Sequence, residues 1–344
     1  MINKIKRIAD NFSIDKVVKV SKFGNGLINE TFLVKSRSGE YVLQKLHPIF
    51  KSTVLTDTQN VTLHLSGKGL LTPLIVKTKN KKLFLKDDKK GCWRMLTFIP
   101  GKCYEKGIDS KKAFSAGQFV GRFHDALSGF DYEFKHKIKG FRSPKARIYK
   151  LKKTLNKFKN TQKYRELHDL SMEVLENYKK IKNKEYGLPD RIVHGDLKIN
   201  NIRFDEKEKA VCLLDLDTLG RGKIATDIAD AARTWCNKAD EGDVKNSKFD
   251  LKIFENMMRG YLDTAKFATR GEIKQIPEAI QKVILVLSTR FLTDAFEEKY
   301  FRLNSEQYKN LYEQNKTKSF AQMVLYRDFL KKKESVDKII KNLF

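Results

Sequence analysis

The chain has 344 residues, 40% of them apolar, which is enough for a large core and more than one folding unit. Its 70 Lys and Arg against 42 Asp and Glu leave a formal charge of +28, but the lysines are spread among glutamates with no interleaved aromatic stripe, which argues against a nucleic-acid partner. No run of roughly eighteen apolar residues predicts a membrane-spanning helix, and Met1-Ile2-Asn3-Lys4-Ile5-Lys6-Arg7-Ile8 lacks the apolar region of a signal peptide, so no membrane partner and a cytoplasmic location are expected.

Residues 1–12 predict a short amphipathic helix, with Ile2, Ile5, Ile8 and Ala9 on one face. Val17 to Phe23 reads as a strand, Gly24-Asn25-Gly26 as a tight turn and Thr31 to Lys35 as a second strand. Ser36-Arg37-Ser38-Gly39-Glu40 is a hairpin turn into a third, Tyr41 to Leu46. This pattern predicts an antiparallel sheet with a loop at 24–29 placed to cover phosphates. Thr53 to Ser66 reads as a helix, and strand signals recur at Leu74 to Lys77, Leu83 to Lys86 and Cys92 to Phe98. Pro100-Gly101 punctuates the chain and divides 1–99 from 100–344. Beyond it, helical periodicity is expected at about 110–128, 144–183, 224–238, 248–266, 274–298 and 305–332, interrupted by short strands between 192 and 217. In the second of these, Ile148, Leu151, Leu155 and Phe158 make one apolar face. Lys331-Lys332-Lys333 before Glu334 predicts a solvated helix end. Strands first and helices later is an α+β order. Cys92, Cys103, Cys212 and Cys236 form no C-x-x-C pair, so neither a disulfide framework nor a zinc site is expected. His124 reads as a packed helix-face histidine.

The chemistry concentrates at Val193-His194-Gly195-Asp196-Leu197-Lys198-Ile199-Asn200-Asn201, followed by Leu213-Leu214-Asp215-Leu216-Asp217. Two strand signals, Ile202-Arg203-Phe204 and Ala210 to Leu214, flank a polar turn and bring Asp196, Asn201 and Asp215 to one edge. Phosphoryl transfer from a nucleoside triphosphate needs such a set. One carboxylate meets the acceptor hydroxyl, while an amide oxygen and a second carboxylate hold Mg²⁺ against the phosphates. Acidic residues at strand ends also serve as turn formers, but the length and order of this string favour a site. His194 reads as a loop stabiliser. Lys198 is either a phosphate contact or an ordinary exposed lysine. Asp217, two residues past Asp215, would share its face and touch metal or substrate. Asp227, Asp230 and Arg233 open a helix, where the carboxylates complement its dipole or serve the site. Arg290 and Asp294, four apart on an apolar segment, form a salt bridge or a polar pair facing a pocket.

These motifs resemble the aminoglycoside phosphotransferase and choline kinase superfamily of small-molecule kinases. Asn25 to Val34, Tyr41 to Leu46, Asp215 to Thr218, Asp227 to Arg233 and Thr289 to Asp294 are similar to segments of N-acetylhexosamine 1-kinases. The resemblance runs from about residue 17 onward and implies a bilobal protein-kinase-like fold. Residues 1–99 would form an antiparallel-sheet nucleotide-binding lobe, and 100–344 a larger, mainly helical catalytic and substrate lobe. It also implies ATP and Mg²⁺ as cofactors, Asp196 as catalytic base and Asn201 and Asp215 as metal ligands. Gly24, Asn25, Gly26, Asn29, Lys45 and Lys198 would lie along the nucleotide, and Asp217, Arg233, Arg290 and Asp294 around a sugar acceptor. Two positions depart from the family: Gln44 stands where it often has Lys or Arg, and Gln59 where kinases often have a glutamate partner. Lys45 is then the expected phosphate cation, turned inward by a bulge. The departures also motivate a nucleotide-binding module without turnover as an alternative. Another sugar, an aminoglycoside or an amino alcohol are the alternative acceptors.

Overall fold

The computed structural model describes residues 2–24, 29–48, 50–87, 91–136, 143–181 and 187–343. Helix α1 (Ile2–Ala9) leads into strands β1 (Val17–Lys22), β2 (Glu30–Ser36) and β3 (Gly39–Lys45). Helix α2 (Thr53–Gly67), strands β4 (Ile75–Val76), β5 (Leu85–Lys86) and β6 (Cys92–Thr97) follow. The strands form one antiparallel sheet in the order β1-β2-β3-β6-β4, with β5 beside β6. One face is sealed by α1: Ile5, Ile8, Val34, Leu43, Trp93 and Met95 share an apolar cluster. The period-2 alternation of strands sends their neighbours to the other face, toward the rest of the molecule.

That rest is mostly helical. Helices α3 (Ser110–Leu127), α4 (Pro144–Lys157) and α5 (Gln162–Lys180) precede β7 (Arg191–Val193), β8 (Ile202–Phe204), β9 (Ala210–Leu213) and β10 (Gly220–Gly222). After these come α6 (Ile224–Trp235), α7 (Leu251–Thr264), α8 (Arg270–Lys274), α9 (Ile276–Glu297) and α10 (Leu311–Asn342). Their apolar faces form the larger core, centred on α3, α6, α7, α9 and α10. α3 and α7 meet through glycines. A Cβ on Gly117 would stand 2.2 Å from the carbonyl oxygen of Met257, and one on Gly260 2.0 Å from that of Phe114. Only backbone without side chain fits at that separation.

Three departures from the sequence pattern have local causes. The expected 144–183 helix is two, because Thr161 caps α5 through its side chain, accepting from the Tyr164 amide. The last helix does not end at the lysine run but reaches Asn342, because its own Val336 and Ile340 are buried on its inner face. β10, absent from the pattern, pairs with β7 just before the His194–Asn201 loop. Among the described residues no helix is long and apolar enough to cross a membrane.

Several contacts fix the sheet over the helices. The Lys102 amide donates to Phe204 O at 2.8 Å, and Arg203 Nε to Ile99 O at 2.9 Å. From α2, buried Asp57 accepts the Tyr132 hydroxyl at 2.8 Å and the backbone amides of Lys135 and His136 at 3.0 and 2.7 Å.

Candidate active site

The catalytic loop is positioned from below by α6. Asp227, in its first turn, accepts the amide of His194 at 2.8 Å and that of Gly195 at 2.7 Å. Gly195 adopts φ 84°, a conformation natural to glycine. His124 of α3 lies 3.1 Å from the same carboxylate, and its other ring nitrogen 3.2 Å from the Tyr261 hydroxyl of α7. Burial pushes the Asp227 carboxyl up, but hydrogen bonding and charge from His124, the charge of His194 and the Gly195 amide hold it below its ordinary range. His194 Nε2 reaches Leu214 O at 2.9 Å, and Thr218 Oγ1 donates to His194 O at 2.8 Å. His194 therefore braces the loop against the segment after β9.

On this frame Asp196, Lys198, Asn201 and Asp215 converge. Asn201 Nδ2 donates to Asp196 O at 2.9 Å and Oδ2 at 3.2 Å. Lys198 Nζ stands 3.0 Å from Asp196 Oδ1. Burial raises the Asp196 carboxyl, yet Lys198, His194 and Arg233 outweigh it and keep the group below the usual carboxylate range. Asp215 has φ 57° and ψ 60°, a left-handed backbone that costs a non-glycine residue about 1–3 kcal/mol. Burial, then the charges of Asp217 and Asp196, push its carboxyl up to about 7 against Arg94 and Lys198. An acidic surplus of this kind is what a divalent cation stabilises, and Asn201 and Asp215 offer oxygen donors suited to a hard one. Among the described residues no group of three or more His, Cys, Asp or Glu side chains could hold a metal. A cation here would draw its remaining ligands from phosphates and water.

Asp217, expected to touch metal or substrate, has its oxygens engaged by the sheet. It is buried, and Arg94 of β6 grips both its oxygens, through Nη1 to Oδ1 and through Nη2 to Oδ2 at 2.9 Å. Asn29 Nδ2 adds a bond to Oδ2 at 3.0 Å, while Asn29 Oδ1 accepts the His47 amide at 2.9 Å. Asp217 thus ties the helical part to the sheet. Lys45 is also elsewhere than expected. The β2–β3 and β3–β6 ladders run without a bulge, pairing Lys45 with Glu30 and Trp93. Lys45 Nζ sits 5.9 Å over the Trp93 ring and 3.9 Å from Glu30, on the α1 side of the sheet. Gln44 takes the opposite face, donating to Thr31 Oγ1 at 3.2 Å and accepting from Arg94 Nε at 2.9 Å. Gln59 carries no partner on Oε1 among the described residues. Gly24 has φ 72°; Asn25 and Gly26 lie outside the described residues.

Beside Asp196 a chain of charges gathers around one buried cation. Arg233, 4% exposed, donates to Asp230 Oδ1 from Nε at 3.1 Å and Nη2 at 2.9 Å, and its Nη1 is 3.7 Å from Glu241. Lys318 of α10 reaches Glu241 at 3.1 Å. Burial pushes Asp230 up in spite of Arg233. Burial likewise raises Glu241, but Lys318, Arg233 and Lys198 bring it below its ordinary range. Arg290 and Asp294 serve a different end. Asp294 accepts the amides of Lys299, Tyr300 and Phe301 at 2.8, 2.7 and 2.9 Å and Asn315 Nδ2 at 2.9 Å. Arg290 donates to the Tyr300 hydroxyl at 3.0 Å and lies over the Tyr300 and Phe301 rings. The pair braces the turn after α9, because the amides of 299–301 lie beyond the helix and find their acceptor in Asp294. Glu241 and Lys318 carried no sequence signal, being remote from any motif. Arg94 did: it is a charge inside the apolar run Trp93-Arg94-Met95-Leu96.

The architecture has solved counterparts. An amicoumacin kinase, hAmiN, in complex with AMP-PNP, Ca²⁺ and Ami superposes with a TM-score of 0.64 at 14% identity, covering 96% of each chain. A microcompartment-associated aminopropanol kinase gives 0.64 at 12% identity over 97% of this chain and 98% of that one. Choline kinase from Cryptosporidium parvum Iowa II gives 0.60 at 15% identity over 98% and 97%. At such identities the likeness shows the protein-kinase-like fold. Residues 19–259 match the APH phosphotransferase enzyme family, and with its catalytic loop in that frame the chain belongs to this family of small-molecule kinases, which phosphorylate alcohol groups.

Proposed function

We propose that the enzyme transfers the γ-phosphoryl group of ATP to the anomeric hydroxyl of an N-acetylhexosamine, giving the sugar 1-phosphate and ADP. The observation that carries the acceptor class is Arg233, buried beside Asp196 and joined to Asp230, Glu241 and Lys318. Carboxylates there already have cationic partners. An ammonium acceptor would meet Arg233 and Lys318 rather than bare acid, whereas a neutral polyhydroxyl acceptor finds both donors and acceptors of fixed direction. The solved counterparts named for aminopropanol and choline act on cationic amines, so this site reads as a departure from them. The segments similar to N-acetylhexosamine 1-kinases, Asp215 to Thr218 and Asp227 to Arg233, support the finer reading.

In this reading Asp196, kept ionised by Lys198, accepts the hydrogen bond of the acceptor hydroxyl and aligns its oxygen on the phosphorus. The O–P bond to the acceptor forms as the bond to the leaving ADP oxygen breaks, and the hydroxyl proton passes to Asp196 late. Asn201 and Asp215 would hold Mg²⁺, which when bound neutralises charge on the phosphates. A complex of one counterpart with AMP-PNP supports the nucleotide.

The test is phosphorus NMR of the reaction with N-acetylglucosamine and N-acetylgalactosamine. An anomeric phosphate signal is expected with at least one. Turnover of an amino alcohol or aminoglycoside with neither sugar phosphorylated would overturn the acceptor assignment and leave the kinase. In parallel, Arg233→Lys should raise the sugar KM by at least about tenfold, as loss of a paired buried donor does, with nucleotide affinity unchanged.

A further inference from the structure

The face of the sheet turned away from α1 carries two cross-strand rows. Leu33, Val42 and Leu96 are in register as an apolar row, and one step along, Thr31, Gln44 and Arg94 form a polar one. The polar row lies nearer Asn29, which continues β2 backward and bonds to Asp217. An apolar strip followed by a polar step is what a nucleoside base followed by phosphates requires. The cation of the polar row is Arg94, while Lys45 is on the α1 face. Lys35 and Glu40, at the far hairpin end, pair with each other at 2.5 Å.

Arg94 is built in rather than merely present. Its side chain is 2% exposed. Nε donates to Gln44 and one hydrogen of each Nη goes to Asp217. A guanidinium has five N–H donors, so one on each Nη remains beyond these bonds. Asp217 lies two residues from Asp215, which places this fork beside the carboxylate expected to hold the metal. We propose that Arg94 is the cation that receives the phosphates of the nucleotide, supplied from β6 because β3 offers Gln44 in place of a basic residue. Asp217 holds the guanidinium plane, and Gln44 orients it through Nε. The two remaining N–H groups point off opposite edges of the plane, so each would meet a separate phosphate oxygen, in directions that a lysine ammonium does not fix. The assignment rests on the enzyme using an adenine nucleotide.

Titration calorimetry with adenosine, ADP and ATP, each with Mg²⁺, tests it on the full chain. Arg94→Lys should weaken ADP and ATP by at least about tenfold, the loss of a charge-assisted pair, and leave adenosine within about twofold, since the apolar row is untouched. Lys45→Ala should leave all three unchanged. A purely architectural Arg94 would weaken all three together or none, and either result in an Arg94→Lys protein that melts near the wild-type temperature overturns the assignment. Should Arg94→Lys fold poorly, the double variant Arg94→Met, Asp217→Leu removes both buried charges at once. If it is folded and retains wild-type ADP and ATP affinity, Arg94 is only an interlobe tie; a selective loss of ADP and ATP supports the proposal. A wild-type protein that binds no adenine nucleotide would instead overturn the nucleotide reading itself.

Discussion

Half-buried Asp196 and buried Asp227 are both carboxylates held below their ordinary pKa, but they do different things. Asp196 has Lys198 and Asn201 around it and stays partly exposed, so its charge is available to a hydroxyl. Asp196→Asn should cut turnover by at least about a hundredfold, the low end for a positioned acid–base group, with nucleotide affinity retained; steady-state kinetics beside calorimetry decides this. Asp227 spends both oxygens on the His194 and Gly195 amides. Its depressed pKa stabilises the fold above the unfolded carboxylate value of about 3.9, and that contribution is lost as pH falls through the lower folded value. Asp227→Asn sets a side-chain NH2 against a backbone N–H, leaving a buried donor unpaired, and should cost about 1–3 kcal/mol near neutrality. In urea unfolding the gap to wild type should be full at pH 6–7 and narrow below about pH 4. A gap that does not change with pH would show that the carboxylate charge contributes nothing.

The tightly packed pair α3 and α7 stands behind the loop that Asp227 of α6 holds. α3 supplies His124 and α7 supplies Tyr261, and the two approach closely through Gly117 and Gly260. Gly260→Ala places a methyl against the Phe114 carbonyl, where backbone must shift. Overpacking of this kind costs about 1–3 kcal/mol. The melting temperature should fall accordingly, and turnover should fall more than nucleotide affinity, because His124 and Tyr261, which back Asp227, move with the two helices while the sheet does not. An unchanged melting temperature would mean that the helices separate freely. At α2, Asp57 fixes the helix to the 132–136 segment through three hydrogen bonds, which gives that helix an anchor where Gln59 offers no carboxylate.

The sheet and the helical part are joined at Asp217, where Arg94 and Asn29 arrive from the sheet, and at Phe204, where Lys102 arrives from the connecting segment. A ligand held between them should stabilise both. Saturating Mg²⁺-ATP at about 100 times its Kd is worth roughly 2.7 kcal/mol to the folded state by mass action. A rise in melting temperature is expected with Mg²⁺-ATP and a much smaller one with ATP and chelator. Asp215→Ala should abolish the difference between the two; a difference that persists would place the metal elsewhere.

Sequence alone determined the parts written as contiguous patterns. The catalytic string around Asp196, the following Asp215, the three-strand N-terminal sheet and the helical remainder are all readable, because local spacing and period 2 or 3.6 carry them. Asp227 was visible as an acid in the first turn of a helix that either complements the dipole or serves the site, and the His194 and Gly195 amides decide between the two. Tertiary structure decided what depends on residues far apart in the chain. Whether Lys45 or Gln44 faces the cleft turns on which sheet face α1 covers. Asp217 became a tie rather than a substrate contact because Arg94, 123 positions away, reaches it. Glu241 and Lys318 joined Arg233 only once α10 folded across, and Asp294 was drawn to the amides beyond α9. Buried charges go to the partner that neutralises them, and in this chain those partners lie on other elements.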